Sequence, residues 1–184
     1  LFFRLQDDSA SACAQLSACL TLAEQWAGVS QEPAAVPCME EAVLSFLRSC
    51  EVLTSDWKQM LEQAANAPEP ENLLAYTPAL DQEIRLFTMD MLYRYYLRAA
   101  YAETPEAEIL PLQMAAFSVC VVLLYSRRLG FHTAEQRLRI WQLFVKEIEY
   151  DGDNLEELEW QLETNAAFSP AAFRAYFASM GGVQ

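Results

Sequence analysis

Residues 109–126 read ILPLQMAAFSVCVVLLYS, eighteen residues without a single charge. A run of this length and character suits one of two structures. It is either a membrane span or the central helix of an α-bundle, covered by other helices on every side. Pro111, Gln113, Ser118 and Ser126 interrupt the apolar character, and the flanking helical patterns are amphipathic with acidic faces. The reading is therefore a central core helix, with no membrane association.

Working outward, helical start and stop signals recur and strand-like alternation does not. Ser9 opens a first helix that runs to about Ala27, where Gly28 and Pro33 end it. Met39, Val43, Phe46 and Leu47 fall at three- and four-residue steps in a second helix, Cys38 to Cys50. Thr54 or Ser55 caps a third helix carrying Trp57, Met60 and Leu61 on one face. Pro78 interrupts or opens a long helix from about Ala79 to Tyr101. Thr104-Pro105-Glu106 is an N-cap followed by proline and starts the apolar helix, which Gly130 stops. Thr133 and Gln136 form a capping box ahead of the stripe Leu138, Trp141, Leu143, Phe144 and Ile148. Asp151-Gly152-Asp153 turns into a helix through about Thr164, and Ser169-Pro170 starts a last one that ends near Gly181-Gly182. The expectation is an all-α, compact multi-helix bundle of seven to nine helices. Its proposed units are an N-terminal helical subdomain (1–66), a proline-containing linker (67–78) and a C-terminal helical bundle (79–184), which can also form one domain.

The net charge of −14 makes unspecific attraction to nucleic acid or an anionic membrane unfavourable and points to basic partners. Five cysteines, at 13, 19, 38, 50 and 120, form no C-x-x-C pair, and their number is odd. They read as reduced, mostly buried thiols of a cytoplasmic protein, neither a zinc module nor a disulfide framework. The chain opens on Leu1-Phe2-Phe3 without a signal-like segment, as a piece of a longer, non-secreted protein does.

Three segments invite a chemical reading. In LYRYYLRAAY, residues 92–101, Tyr93 and Tyr96 share nearby faces while Arg94 and Arg98 stand four apart. They make either a ligand pocket, tyrosines stacking on a planar group and arginines holding an anion, or a packed amphipathic helix with solvated arginines. His132 is the only histidine, and no Ser, Cys or Asp stands at triad spacing to it. The acidic run KEIEYDGDNLEELEW, residues 146–160, fails as a calcium loop because Gly152 stands second and Leu162 twelfth. Asp151, Asp153 and Asn154 suit the first turn of a helix as capping residues, whereas Glu147 and Glu149 are candidates for contact with a cationic substrate or partner. No metal site and no glycine-rich phosphate loop is expected.

Together, several segments resemble the C-terminal region of the flagellin lysine N-methylase family. FVKEIEYDGDNLEELEWQL, residues 144–162, is similar to the family's aromatic helix followed by Ser-Arg-Glu-Ile-Glu-His, a polar turn and Asn-Leu-Glu, with Glu147, Ile148, Glu149, Asn154 and Leu155 fitting. LRSCEVLTSDWKQML, residues 47–61, resembles its leucine-rich segment before a tryptophan. ENLLAY, MLYRYYLRAAY and the leading FFRLQDDSASACAQLSACLTLAEQ are also similar, so the likeness runs along almost all of the chain. It departs at Tyr150, where the family has His, and at Val145-Lys146, where it has Ser-Arg. The resemblance implies methyl transfer from S-adenosylmethionine to a protein lysine, in partnership with an N-terminal Cys-rich part that holds an iron–sulfur cluster and has no counterpart here. By itself this chain is then expected to be inactive and without a cofactor, with flagellin or another basic protein as partner. The alternative is a non-enzymatic acidic helical interaction module.

Overall fold

The computed structural model describes residues 10–28, 39–68, 74–99 and 109–180. These residues form eight α-helices and no strand: α1 (Ala12–Ala27), α2 (Met39–Ser49), α3 (Ser55–Asn66), α4 (Pro78–Ala99), α5 (Leu110–Leu129), α6 (Ala134–Phe144), α7 (Gly152–Thr164) and α8 (Pro170–Ser179). A π-turn over Val145–Glu149 follows α6, and a short 3-10 turn over Ala166–Phe168 precedes α8.

Helix α5 is the axis of the bundle, and it packs against all seven of the other described helices. Of its most apolar window, 89% is buried by protein. A helix apolar on every face needs cover on every face, and the surrounding amphipathic helices supply it. Aromatic rings fix the contacts. Phe117 of α5 meets Phe46 and Phe168 edge-on at centroid distances of 5.4 and 5.2 Å, and Tyr125 lies 5.4 Å from Trp57. Phe87 of α4 stacks on Trp141 of α6 at 4.6 Å. Buried side chains from α1 through α8 form one continuous cluster, so the helices before and after segment 67–78 share a single core.

The ends of the helices follow local chemistry. Gly28 and Gly130 adopt φ of 69° and 64°, the left-handed conformation that ends α1 and α5 at low steric cost. Thr54 caps α3, Thr133 and Gln136 form the capping box of α6, and Ser169 caps α8 ahead of Pro170. Helix α1 starts later than its sequence suggests. Its cap is Ser11, whose hydroxyl accepts from the Ala14 N–H at 3.2 Å, and Ser9 lies outside the described residues. Another free N–H of α1, that of Ala12, donates to Asp81 of α4 at 2.7 Å, a long-range cap no local pattern announces. The Thr104-Pro105-Glu106 start signal and Cys38 also lie outside the described residues.

Candidate functional site

The acidic run begins where α6 passes into its π-turn. The turn closes with the Tyr150 N–H donating to the Val145 carbonyl at 3.2 Å, five residues back. Single π-turns of this kind recur at functional sites, which makes the direction of each side chain here worth following.

Glu147 points inward and is fully buried. One carboxylate oxygen accepts from the Leu53 N–H at 2.7 Å, and the other accepts from the Thr54 hydroxyl. The same hydroxyl accepts from the Trp57 N–H as the N-cap of α3. The carboxylate therefore sits at the N-terminus of α3, where free N–H groups and the positive end of the helix dipole offset the cost of burying a charge. With both oxygens engaged inside the fold, Glu147 holds the 51–54 loop and presents nothing to a substrate, contrary to its expected contact role.

Asn154 completes the clamp. Its Oδ1 accepts from the Glu51 N–H at 2.8 Å, and its Nδ2 donates to the carbonyls of Glu51 at 2.9 Å and Glu147 at 2.8 Å. By residue type and position it reads as a capping residue. Only Asp151 caps: its side chain accepts from the Asn154 N–H at 2.9 Å from the extended N-cap position. Asn154 and Asp153 already belong to the helix, so neither has the cap geometry. Asp153 is exposed in the first turn, where its charge complements the helix dipole.

Glu149 meets Arg94 of α4 at 3.1 Å, and Arg94 also holds Asp90 at 3.0 Å. The fold thus joins two segments that the sequence offered separately. The Glu149 side chain is 6% exposed. Burial pushes its carboxyl above the ordinary glutamate range, against the opposing pull of Arg94. Tyr93 projects into solvent. The side chains of Tyr96 and Arg98 lie outside the described residues, so the structure describes no pocket built from all four.

The outer face of α7 has a different character. Trp160 is 55% exposed, and Asp153, Glu156, Glu157 and Glu163 are exposed on the same helix. The signal was present in the sequence, since those carboxylates stand seven, four and three residues before Trp160 and three after it. By spacing alone the run offers Asp151, Asp153 and Asn154 as caps and Glu147 and Glu149 as contacts for a cation, and it assigns Trp160 no role.

Elsewhere, an open cleft of about 750 Å³ lies between α3 and α6, lined by Met60, Phe131, Leu138 and several glutamines and crossed by the Arg139–Asp56 ion pair. Its lining includes no Ser, Cys, His or Lys. His132 is exposed beside the capping box, its N–H donating to Gln136. Cys13, Cys19 and Cys120 are buried free thiols, and burial pushes Cys13 up to about 12 and Cys120 well above its ordinary value. Among the described residues no three metal-ligating side chains converge. Compared with protein-family models, with curated proteins and with solved structures, the chain matches none.

Proposed function

We propose that this chain is an acidic helical interaction module that binds a basic protein partner, without catalysis of its own. The supporting observation is the way its charges are divided. Arg85, Arg94, Arg127, Arg128, Arg137, Arg139 and Arg174 are all engaged with carboxylates of the same chain. Several of these pairs are well buried. Arg137 forks onto Glu83 at 2.5 and 2.9 Å, and Glu40 accepts from Arg127 at 2.5 Å and from Arg128 at 3.3 Å. The positive charge is thus largely spent on holding helices together. Glu51, Glu62, Glu135, Asp153, Glu156 and Glu163 remain exposed and outside every described ion pair. A surface of this kind draws in cationic partners and repels anionic ones, speeding encounter before any specific contact forms. Buried free thiols suit a reducing compartment such as the cytoplasm.

Titration calorimetry with a lysine- and leucine-rich helical peptide, and with its glutamate counterpart, tests the reading. Saturable one-to-one binding of the basic peptide that weakens with salt is expected. No binding, or equal binding of both peptides, overturns it.

The lysine N-methylase reading draws on matches at Glu147, Ile148, Glu149, Asn154 and Leu155, of which Glu147, Ile148 and Asn154 are 0%, 0% and 4% exposed and the other two half-buried. Matches of that kind speak for a shared helical framework more than for methyl transfer. Incubation with labelled S-adenosylmethionine and flagellin is expected to give no turnover above the blank, and turnover would move the proposal to the enzyme.

A further inference from the structure

We infer that the outer face of α7, centred on Trp160, is where a basic partner docks, with a lysine or arginine side chain of a partner helix seated over the indole. The inference rests on the interaction-module reading and gives it a site. Four observations lead to it.

First, the four tryptophans fall into two classes. Trp57 and Trp141 are core residues, 0% and 6% exposed, whereas Trp26 and Trp160 are 64% and 55% exposed. Second, the two exposed ones have opposite surroundings. The only carboxylate of α1, Glu24, is buried and bound to Arg174, whereas Trp160 stands among exposed carboxylates within two turns of helix. A cation over an indole face is attracted by the ring quadrupole, and carboxylates around the rim add to that attraction.

Third, α7 contains no Lys, Arg or His, so the exposed charges of its first turns are alike at helical spacing: Asp153 with Glu156 and Glu157. Like charges at three and four residues destabilise a helix. The arrangement is unfavourable for the free chain and becomes favourable when a cation lies across it. Fourth, the loop clamped by Asn154 and Glu147 at the start of this helix exposes Val52 and Leu53, 39% and 43% accessible, so an apolar edge stands beside the first turn of α7. From Asp153 to Glu163 the face is roughly 15 Å long, about three turns of a partner helix. Charge complementarity and the apolar edge together specify that partner as an amphipathic, lysine- or arginine-bearing helix.

The test uses the whole chain, the lysine- and leucine-rich helical peptide as probe, and calorimetry at low and moderate salt. Trp160→Ala is expected to weaken binding about tenfold, Trp160→Phe to recover part of the loss, and Trp26→Ala to leave affinity unchanged. A variant combining Glu156→Gln, Glu157→Gln and Glu163→Gln is expected to bind at least tenfold more weakly with a flatter salt dependence, while the free protein melts at the same temperature or higher. That pairing separates a docking face from a structural one, because removing structural groups lowers melting. If the peptide binds the wild type but Trp160→Ala and the triple variant bind equally well, this site is wrong and the interaction-module reading stands. If the wild type does not bind the basic peptide at all, both fall.

Discussion

The acidic run makes two surfaces of opposite character within twenty residues. On the inner side, Glu147 and Asn154 engage the loop before α3 in four hydrogen bonds, and a fifth joins Asn154 to the Glu147 carbonyl, so their polar groups are buried with partners. On the outer side, Asp153, Glu156, Trp160 and Glu163 face solvent with no ion pair among the described residues. Composition does not separate them, since both are rich in carboxylates and apolar residues. What separates them is the supply of donors. The loop leading into α3 offers the Glu51 and Leu53 N–H groups and the Thr54 hydroxyl to one side, and the other side is exposed. An acidic residue in such a run is structural where backbone donors reach it and available for binding where none do.

The sharpest way to break this contrast is at Glu147. Glu147→Ala removes the acceptor for the Leu53 N–H and the Thr54 hydroxyl and leaves both without that partner at a part-buried site. Stability in urea unfolding is expected to fall by about 3 kcal/mol, with the loop before α3 losing protection from hydrogen exchange. A loss under about 1 kcal/mol would show that the loop is held by other means. Next comes Asn154→Ala, which deletes three hydrogen bonds to backbone groups and is expected to cost about 2–3 kcal/mol in the same measurement. Asp151→Ala should cost about 1 kcal/mol as a lost N-cap, and Asp153→Ala should stay within about 0.5. Equal effects at these two positions would contradict the assignment of the cap.

Glu149 sharpens the comparison from between the two surfaces, because it is buried yet only partly compensated. Its carboxyl lies above the ordinary value of 4.5 because burial disfavours the charge, more than Arg94 restores. In the window above 4.5 the folded state therefore holds more proton than the unfolded state. Its contribution to stability is complete below 4.5 and is lost as pH rises through the raised value. Melting temperature measured against pH for wild type and Glu149→Gln is expected to show the wild type gaining relative to the variant as pH falls from neutrality toward 4.5. A wild type that loses ground over that window would mean that the Arg94 pair dominates. This effect is the smallest of the set, and it distinguishes Glu149 from Glu147, which lies two residues away along the same backbone and has donors on both oxygens.

Much of this molecule was legible from local sequence. The charge-free run at 109–126 identified the axis of the bundle, Gly28 and Gly130 marked where helices stop, and Thr54, Thr133 and Ser169 marked where they start. These signals act through nearest neighbours: the left-handed glycine, the side-chain acceptor at an N-cap, the apolar residue every third or fourth position. The acidic run shows where such signals end. A three- or four-residue pattern does not register the extra residue of the π-turn at Val145–Glu149, and it does not say whether Glu147 or Glu149 faces inward. Asn154 fits a cap by residue type, yet its carboxamide serves Glu51, a hundred residues earlier in the chain.

The sequence by itself determined the helical class, most of the helix ends, the acidic surplus and the need for a covered central helix, because each follows from side-chain chemistry over one or two turns. Only the tertiary structure decided which charges are spent. Arg94 reaches Glu149, Arg127 reaches Glu40 and Glu147 reaches the start of α3 across separations of 55, 87 and 94 residues. Whether a carboxylate is a buried clamp or a free binding group depends on which donors the packing of the helices brings within about 3 Å, and spacing along the chain does not encode that distance.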